Sequence, residues 1–179
     1  MEFLKNIKLT IGNRYLKRES KSKNELSFIN WDDIKRIKLL FIRKNDFIAD
    51  ELSAFARELV QLGKVVDVLI YVPKNKLDEG FKRRKSVEYY CKKDLNWYGK
   101  PKREIIENFI STKSDLLIIP VFEDVFHIKW LASMCNVKMI VAPFTESNNW
   151  ANTLIKLEDE NIEQFIQQTV HYLKMINKQ

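Results

Sequence analysis

The chain has 179 residues, 45% of them apolar and 31% charged, and a net charge of +7. That length fits one domain with a sizeable core, and the composition is that of a soluble globular protein. Four glycines and four prolines argue against a turn-rich all-β design and against long flexible linkers, and the longest apolar run is well short of the roughly 20 residues a membrane-spanning helix needs.

In chain order, residues 1–24 place Phe3, Ile7, Ile11 and Tyr15 four apart among seven Lys/Arg. This is a basic amphipathic pattern, weakened as a helix by Gly12, that suits either a membrane surface or packing on the chain's own domain. Residues 1–27 are therefore read as a basic N-terminal amphipathic segment and 28–179 as a single α/β domain. Asn30 caps a short helical turn that leads into a first strand, Arg36 to Ile42. Ile48, Leu52, Phe55, Leu59 and Leu62 then recur at helical spacing, and Gly63 closes that helix. Val65 to Val72 is the second strand, stopped by Pro73, which completes a right-handed βαβ unit.

Residues 73–86, including Lys82-Arg-Arg-Lys85, read as an exposed basic loop, and Val87 to Cys91 as a short third strand. A turn-rich segment, Lys92 to Pro101, precedes a helix over Lys102 to Thr112 with Pro101 at a favoured start position. Asp115 to Val121 reads as the central strand. Leu116 to Pro120 has no polar break, as expected of a strand buried on both faces. The helix from Asp124 to Cys135 is apolar nearly all round, with only Lys129 and Ser133 as a polar stripe, and should be deeply packed. A strand over Val137 to Ala142 ends at Pro143, Thr153 to Leu157 suits a short final strand, and a last amphipathic helix runs from about Asp159 to Ile176. This alternation predicts a three-layer, doubly wound α/β fold of the Rossmann or flavodoxin type, with a mostly parallel sheet of about five strands.

In such folds ligands bind beyond the carboxyl ends of the strands. The loop after the first strand reads Arg43-Lys-Asn-Asp-Phe-Ile-Ala, without a glycine, and neither nucleotide-binding glycine fingerprint occurs anywhere in the chain. Arg43 and Lys44 still stand where an anion is expected, although solvated loop charge is the plainer account. Glu123 and Asp124 follow the central strand, either as acid–base carboxylates or as caps of the next helix. His127 suits a core position and His171 a surface one, and no Cys/His/Asp cluster has metal-ligand spacing. Cys91 lies beside Lys92 and Lys93, which favour a thiolate, but a structural cysteine at a strand end is the plainer reading. Asn96, Trp97, Tyr98 and Lys100 form the densest group of functional types. They suit stacking on a base or sugar, or a turn in which Trp97 plugs the core edge.

Charge is segregated. Residues 1–24 carry a net +5 and residues 73–103 a net +7, so the remainder is acidic by five. That suggests an anionic partner, whether acidic protein, nucleic acid or lipid headgroup. Cys91 and Cys135 are far apart and give no disulfide framework, and the N-terminus lacks the apolar core of a secretory signal, so a cytoplasmic protein is expected.

Lys93-Asp-Leu-Asn-Trp-Tyr-Gly-Lys100, Ser114-Asp-Leu-Leu-Ile-Ile-Pro120 and Val137-Lys-Met-Ile-Val141, in this order and spacing, resemble a family of uncharacterised cytoplasmic proteins from Bacteroidota. Its members are of similar length, often have a basic N-terminus, and are described only as carrying a domain of unknown function. The resemblance implies no catalytic residues. Asp115 to Pro120, a helix, and Val137 to Val141 are also similar to the first half of two-domain glycosyltransferases of the heptosyltransferase type, a likeness of fold only.

The expectation is a non-catalytic binding or interaction protein for an acidic partner. No catalytic set, metal or cofactor is expected, and the oligomeric state is left open. The alternative is a site for a phosphorylated ligand or nucleotide at the strand ends, built from Arg43, Lys44, Asn96, Trp97 and Glu123. Nonspecific nucleic-acid binding is the third reading, and peripheral membrane contact through residues 1–24 a further one.

Overall fold

A computed structural model describes residues 10–16, 26–81, 86–148 and 150–175. Six strands form one sheet: β1 (Arg36–Ile42), β2 (Val65–Val72), β3 (Val87–Cys91), β4 (Ser114–Ile118), β5 (Val137–Pro143) and β6 (Thr153–Ile155). Their order is β3-β2-β1-β4-β5-β6 and every pairing is parallel. The fold is thus α/β and Rossmann-like, with the reversal of strand order between β1 and β4. Thr153–Ile155 completes the sixth strand, shorter than its sequence suggests.

The helices are α1 (described over residues 10–16), α2 (Asp46–Gln61), α3 (Arg103–Ser111), α4 (Phe126–Met134) and α5 (Ile162–Met175). Strand side chains alternate between the two faces. On one face Leu40, Ile42, Leu69, Tyr90, Leu117 and Ile140 pack with Leu16 of α1, Ile106 and Phe109 of α3, and Ile128 and Leu131 of α4. On the other, Ile37, Leu39, Phe41, Val68 and Leu116 pack with Leu52 and Phe55 of α2 and Phe165 and Leu173 of α5. α2 starts where Asn45 Oδ1 accepts from Ile48 N at 2.9 Å and ends at Gly63, whose φ of +79° is left-handed.

Three local expectations change. β4 ends at Ile118, because Pro120 has no N–H to offer and Val121 N turns back to Ile119 O at 2.9 Å. Pro101 does not open α3. It bridges to Leu95 across the preceding turn, and Lys102 is the N-cap. Glu123 and Asp124 do not cap α4, which begins after Val125 with no side-chain cap.

Lys38 is fully buried in the middle of β1, the one charged residue between Ile37 and Ile42. Its Nζ donates to the Thr112 carbonyl at 2.5 Å and lies 5.3 Å from the Phe109 ring centre. Burial lowers its pKa. At the opening end of the sheet, Asp115 Oδ2 accepts from Lys35 N and Arg36 N, each at 3.0 Å, and Oδ1 from Lys138 Nζ at 2.7 Å. One carboxylate thereby ties together the starts of β1, β4 and β5.

The basic segment Lys82 to Lys85 and most of the amphipathic segment 1–24 lie outside the described residues. Where 1–24 is described, at 10–16, it is helical and packed on the α3/α4 face through Leu16.

Candidate functional site

The carboxyl ends of β1 and β4 meet at the reversal of strand order, where Arg43, Lys44 and Glu123 come together. Lys44 and Glu123 form an ion pair directly across the crevice. Arg43 donates to Asp46 at 2.6 Å, and its guanidinium lies 5.2 Å from the Phe81 ring centre. The remaining cavity, lined by Ile42, Lys44, Pro120, Phe122, Glu123 and Glu160, measures about 40 Å³. That holds a few waters at most and no nucleotide. The two cations expected to receive an anion each already face a carboxylate.

On the α3/α4 side, Tyr71, Tyr90 and His127 pack together. Tyr90 OH lies 2.8 Å from His127 Nδ1, and the Tyr71 and His127 rings are 4.2 Å apart. Burial pushes the His127 imidazole down to about 4 and raises the Tyr90 phenol well above its ordinary value. Both groups are therefore neutral near pH 7, and the imidazole tautomer sets which of the two donates. His127 is a core histidine, as its helix position suggested, while His171 is exposed.

Cys91 is buried at the end of β3. Its thiol lies 3.2 Å from Asp94 Oδ2, which also accepts from Cys91 N at 2.8 Å. Burial, with Asp94 beside it, pushes this thiol up rather than down, so the neighbouring lysines do not activate it. Among the described residues no group of three or more His, Cys, Asp or Glu is placed to hold a metal ion.

Asn96 and Trp97 lie in the turn that leaves β3. Asn96 Oδ1 accepts from Lys100 N at 2.9 Å and Tyr98 N at 3.2 Å, and Asn96 N donates to Lys100 O at 2.8 Å. Its amide oxygen is thus committed to closing the turn, which Gly99 completes with φ +94°. Trp97 does not plug the core: it is 61% exposed. Its ring meets Tyr98 edge-on at 5.3 Å, and Tyr98 stacks on Tyr15 of α1 at 5.4 Å with planes 14° apart.

Ile11, Arg14, Tyr15, Trp97 and Tyr98 line an open groove of about 500 Å³. Lys100 Nζ lies 5.0 Å from the Trp130 ring centre behind this turn. Among the five residues expected to share a ligand, the direct contact is Lys44 with Glu123; Trp97 belongs to this separate groove, and Asn96 to the turn that presents it. Sequence reasoning singled out the Trp97 turn but missed Arg14 and Tyr15 as its neighbours. The periodicity that put Tyr15 on one face of a helix was the available signal, and it named no partner.

The sequence model of a family of unknown function (DUF6913) matches residues 5–176. The chain belongs to this family. The match spans all six strands, the Trp97 turn and α1 as described, so the groove lies wholly within the DUF6913 region. No curated protein and no solved structure matches the chain. No helix among the described residues is long and apolar enough to cross a membrane.

Proposed function

We propose that this DUF6913 protein is a non-catalytic binding protein whose acidic partner engages the surface made by α1 and the Trp97 turn. The observation that carries the reading is the exposed Trp97 beside the Tyr15–Tyr98 stack, in a groove that also holds Arg14. A large indole left in water with aromatic neighbours is what binding surfaces use as an anchor. Charge supports it: the groove belongs to the two chain segments that carry net charges of +5 and +7. Lys92, Lys93 and Lys102 are exposed on the same segment.

The phosphorylated-ligand reading at the strand ends is the weaker one, since Lys44 and Arg43 are each paired with a carboxylate and the crevice is small. A cytoplasmic setting, in a bacterium of the Bacteroidota, is part of the proposal. It draws on two buried cysteines that are not joined in a disulfide and on the resemblance of the sequence motifs.

Retention on a heparin matrix at about 0.15 M salt tests the reading. The wild-type chain should be held, and Arg14→Glu combined with Lys92→Glu and Lys93→Glu should elute clearly earlier with an unchanged unfolding midpoint. Equal elution of the two proteins would overturn the assignment of this surface. Stabilisation by a phosphorylated metabolite that is lost in Arg43→Ala and Lys44→Ala would favour the crevice instead.

A further inference from the structure

We infer that the groove between α1 and the Trp97 turn is a binding site for single-stranded nucleic acid, a base stacking on the exposed aromatic rings while Arg14 and the neighbouring lysines hold phosphate. The inference rests on the acidic-partner reading above and narrows the partner to one class.

The first support is the shape of the aromatic surface. Tyr15 and Tyr98 are already stacked nearly parallel, and Tyr15 remains 43% exposed. Trp97 stands almost perpendicular to Tyr98, at 81°, with most of its surface in water. Two exposed aromatic side chains, Trp97 and Tyr15, therefore border one groove, and planar bases stack on such rings where carboxylate side chains do not. Carboxylates alone would satisfy Arg14 and leave both rings wet. Duplex nucleic acid would do the same, because its bases are stacked inside the helix and only phosphate reaches the protein.

The second support is size and charge. A volume of about 500 Å³ falls within the range of pockets that hold small organic ligands and leaves room for a nucleotide. The two chain segments that form it are net positive. Arg14 lines the groove, and Lys92, Lys93 and Lys102 are exposed on the segment that presents Trp97. Of the acids that follow or precede Trp97 in sequence, Asp94 is buried against Cys91 and Glu107 is held by Arg103, while Glu104 is exposed in the first turn of α3. Bases on aromatics and phosphates on cations are the two halves of sequence-tolerant single-strand recognition.

Fluorescence anisotropy with the full chain tests this. The probes are labelled oligo(U), oligo(dT) and a duplex, each of about 12 nucleotides per strand, with labelled poly-glutamate as the non-nucleic polyanion. Oligo(U), oligo(dT) or both should bind at least tenfold more tightly than the duplex and poly-glutamate, and the two single strands show whether RNA or DNA is preferred. Trp97→Ala should weaken that binding about tenfold, as expected for one lost stacking contact. Its unfolding midpoint should not change, since the indole is exposed. Arg14→Ala should lower the salt dependence by about one phosphate contact.

Equal affinity for duplex and single strand would overturn the inference while leaving the acidic-partner reading intact, whereas an unaltered affinity in Trp97→Ala would overturn both, since both use Trp97 as the anchor. Binding of poly-glutamate without any oligonucleotide would overturn the inference alone. No binding to any of the four probes would overturn both.

Discussion

A Cβ atom on Gly12 would lie 2.7 Å from Cζ of Phe126. The ring of Phe126, at the first position of α4, is thereby the surface on which α1 seats, and it can approach only because residue 12 has no side chain. The same ring faces Gly99 from another side, where a Cβ would sit 3.3 Å from Cδ1. Two glycines from distant parts of the chain thus clamp one phenylalanine and bring Tyr15 over Tyr98. Alanine in place of a helical glycine ordinarily stabilises by up to ~1 kcal/mol. Here the sign should reverse. Gly12→Ala should cost about 1–3 kcal/mol in denaturant unfolding through overpacking, and Phe126→Leu in the same chain should recover part of the loss.

The Tyr90–His127 hydrogen bond is buried, so removing one partner leaves the other unpaired. Tyr90→Phe should destabilise by about 1–3 kcal/mol in the same measurement.

His127 also sets an acid limit. Its folded-state pKa of about 4 lies below the ordinary value of 6.5 because burial disfavours the cation. The unfolded chain therefore binds more protons between those values, and stability should fall as pH drops from about 6.5 to 4. The loss approaches ~3 kcal/mol at the lower end. Unfolding followed across that range should show the slope in wild type and a much flatter one in His127→Gln.

Asp115 acts in a lower window. Burial alone would raise its carboxyl, but hydrogen bonds from Lys138 and from the Arg36 and Lys35 N–H groups outweigh this and hold it below the usual carboxylate range. Its contribution is complete above the unfolded value of 3.8 and is lost as pH falls through the folded one. Asp115→Ala should cost about 2 kcal/mol near neutrality. It should also flatten the acid limb below that of His127, since three strand starts lose their common acceptor.

Lys38 makes the opposite contribution at neutral pH. Desolvation lowers its folded pKa, so stability should rise with pH between that value and the unfolded 10.5. The buried tyrosines, whose pKa values are raised, work against this as pH approaches 10, and comparison with a variant cancels them. Lys38→Met should lie within about 1 kcal/mol of wild type at pH 7, on either side, because relief of a buried charge offsets the unpaired Thr112 carbonyl. The variant should lack the rise toward alkaline pH. A cost of several kcal/mol would contradict this account.

The Trp97 turn shows how far the sequence could be read at the candidate site. Its composition marked Asn96 and Trp97 together as ligand-type residues, yet they do different things. Asn96 spends its amide oxygen on two backbone N–H groups of its own turn, an interaction within four residues. Trp97 is turned outward by that geometry. The signal for Tyr15 was only a helical period, and the ring it stacks on is 83 residues away along the chain. Arg43, Lys44 and Glu123 were legible as strand-end charges. Their mutual neutralisation was not, because Lys44 and Glu123 are separated by a whole βαβ unit and half of the next.

What the sequence by itself determined is the local grammar of the fold. Apolar runs at Arg36–Ile42, Val65–Val72, Ser114–Ile118 and Val137–Pro143, separated by helices of period 3.6, commit the chain to a parallel sheet covered on both faces. The missing glycines after β1 likewise exclude a phosphate-cradling loop there. Strand order, the closure of the crevice between β1 and β4, and the seating of α1 against Phe126 were decided by tertiary structure alone. Periodicity records which side of an element is apolar. It does not record which distant element that side will meet, and the exposed aromatic groove exists only where two such elements meet.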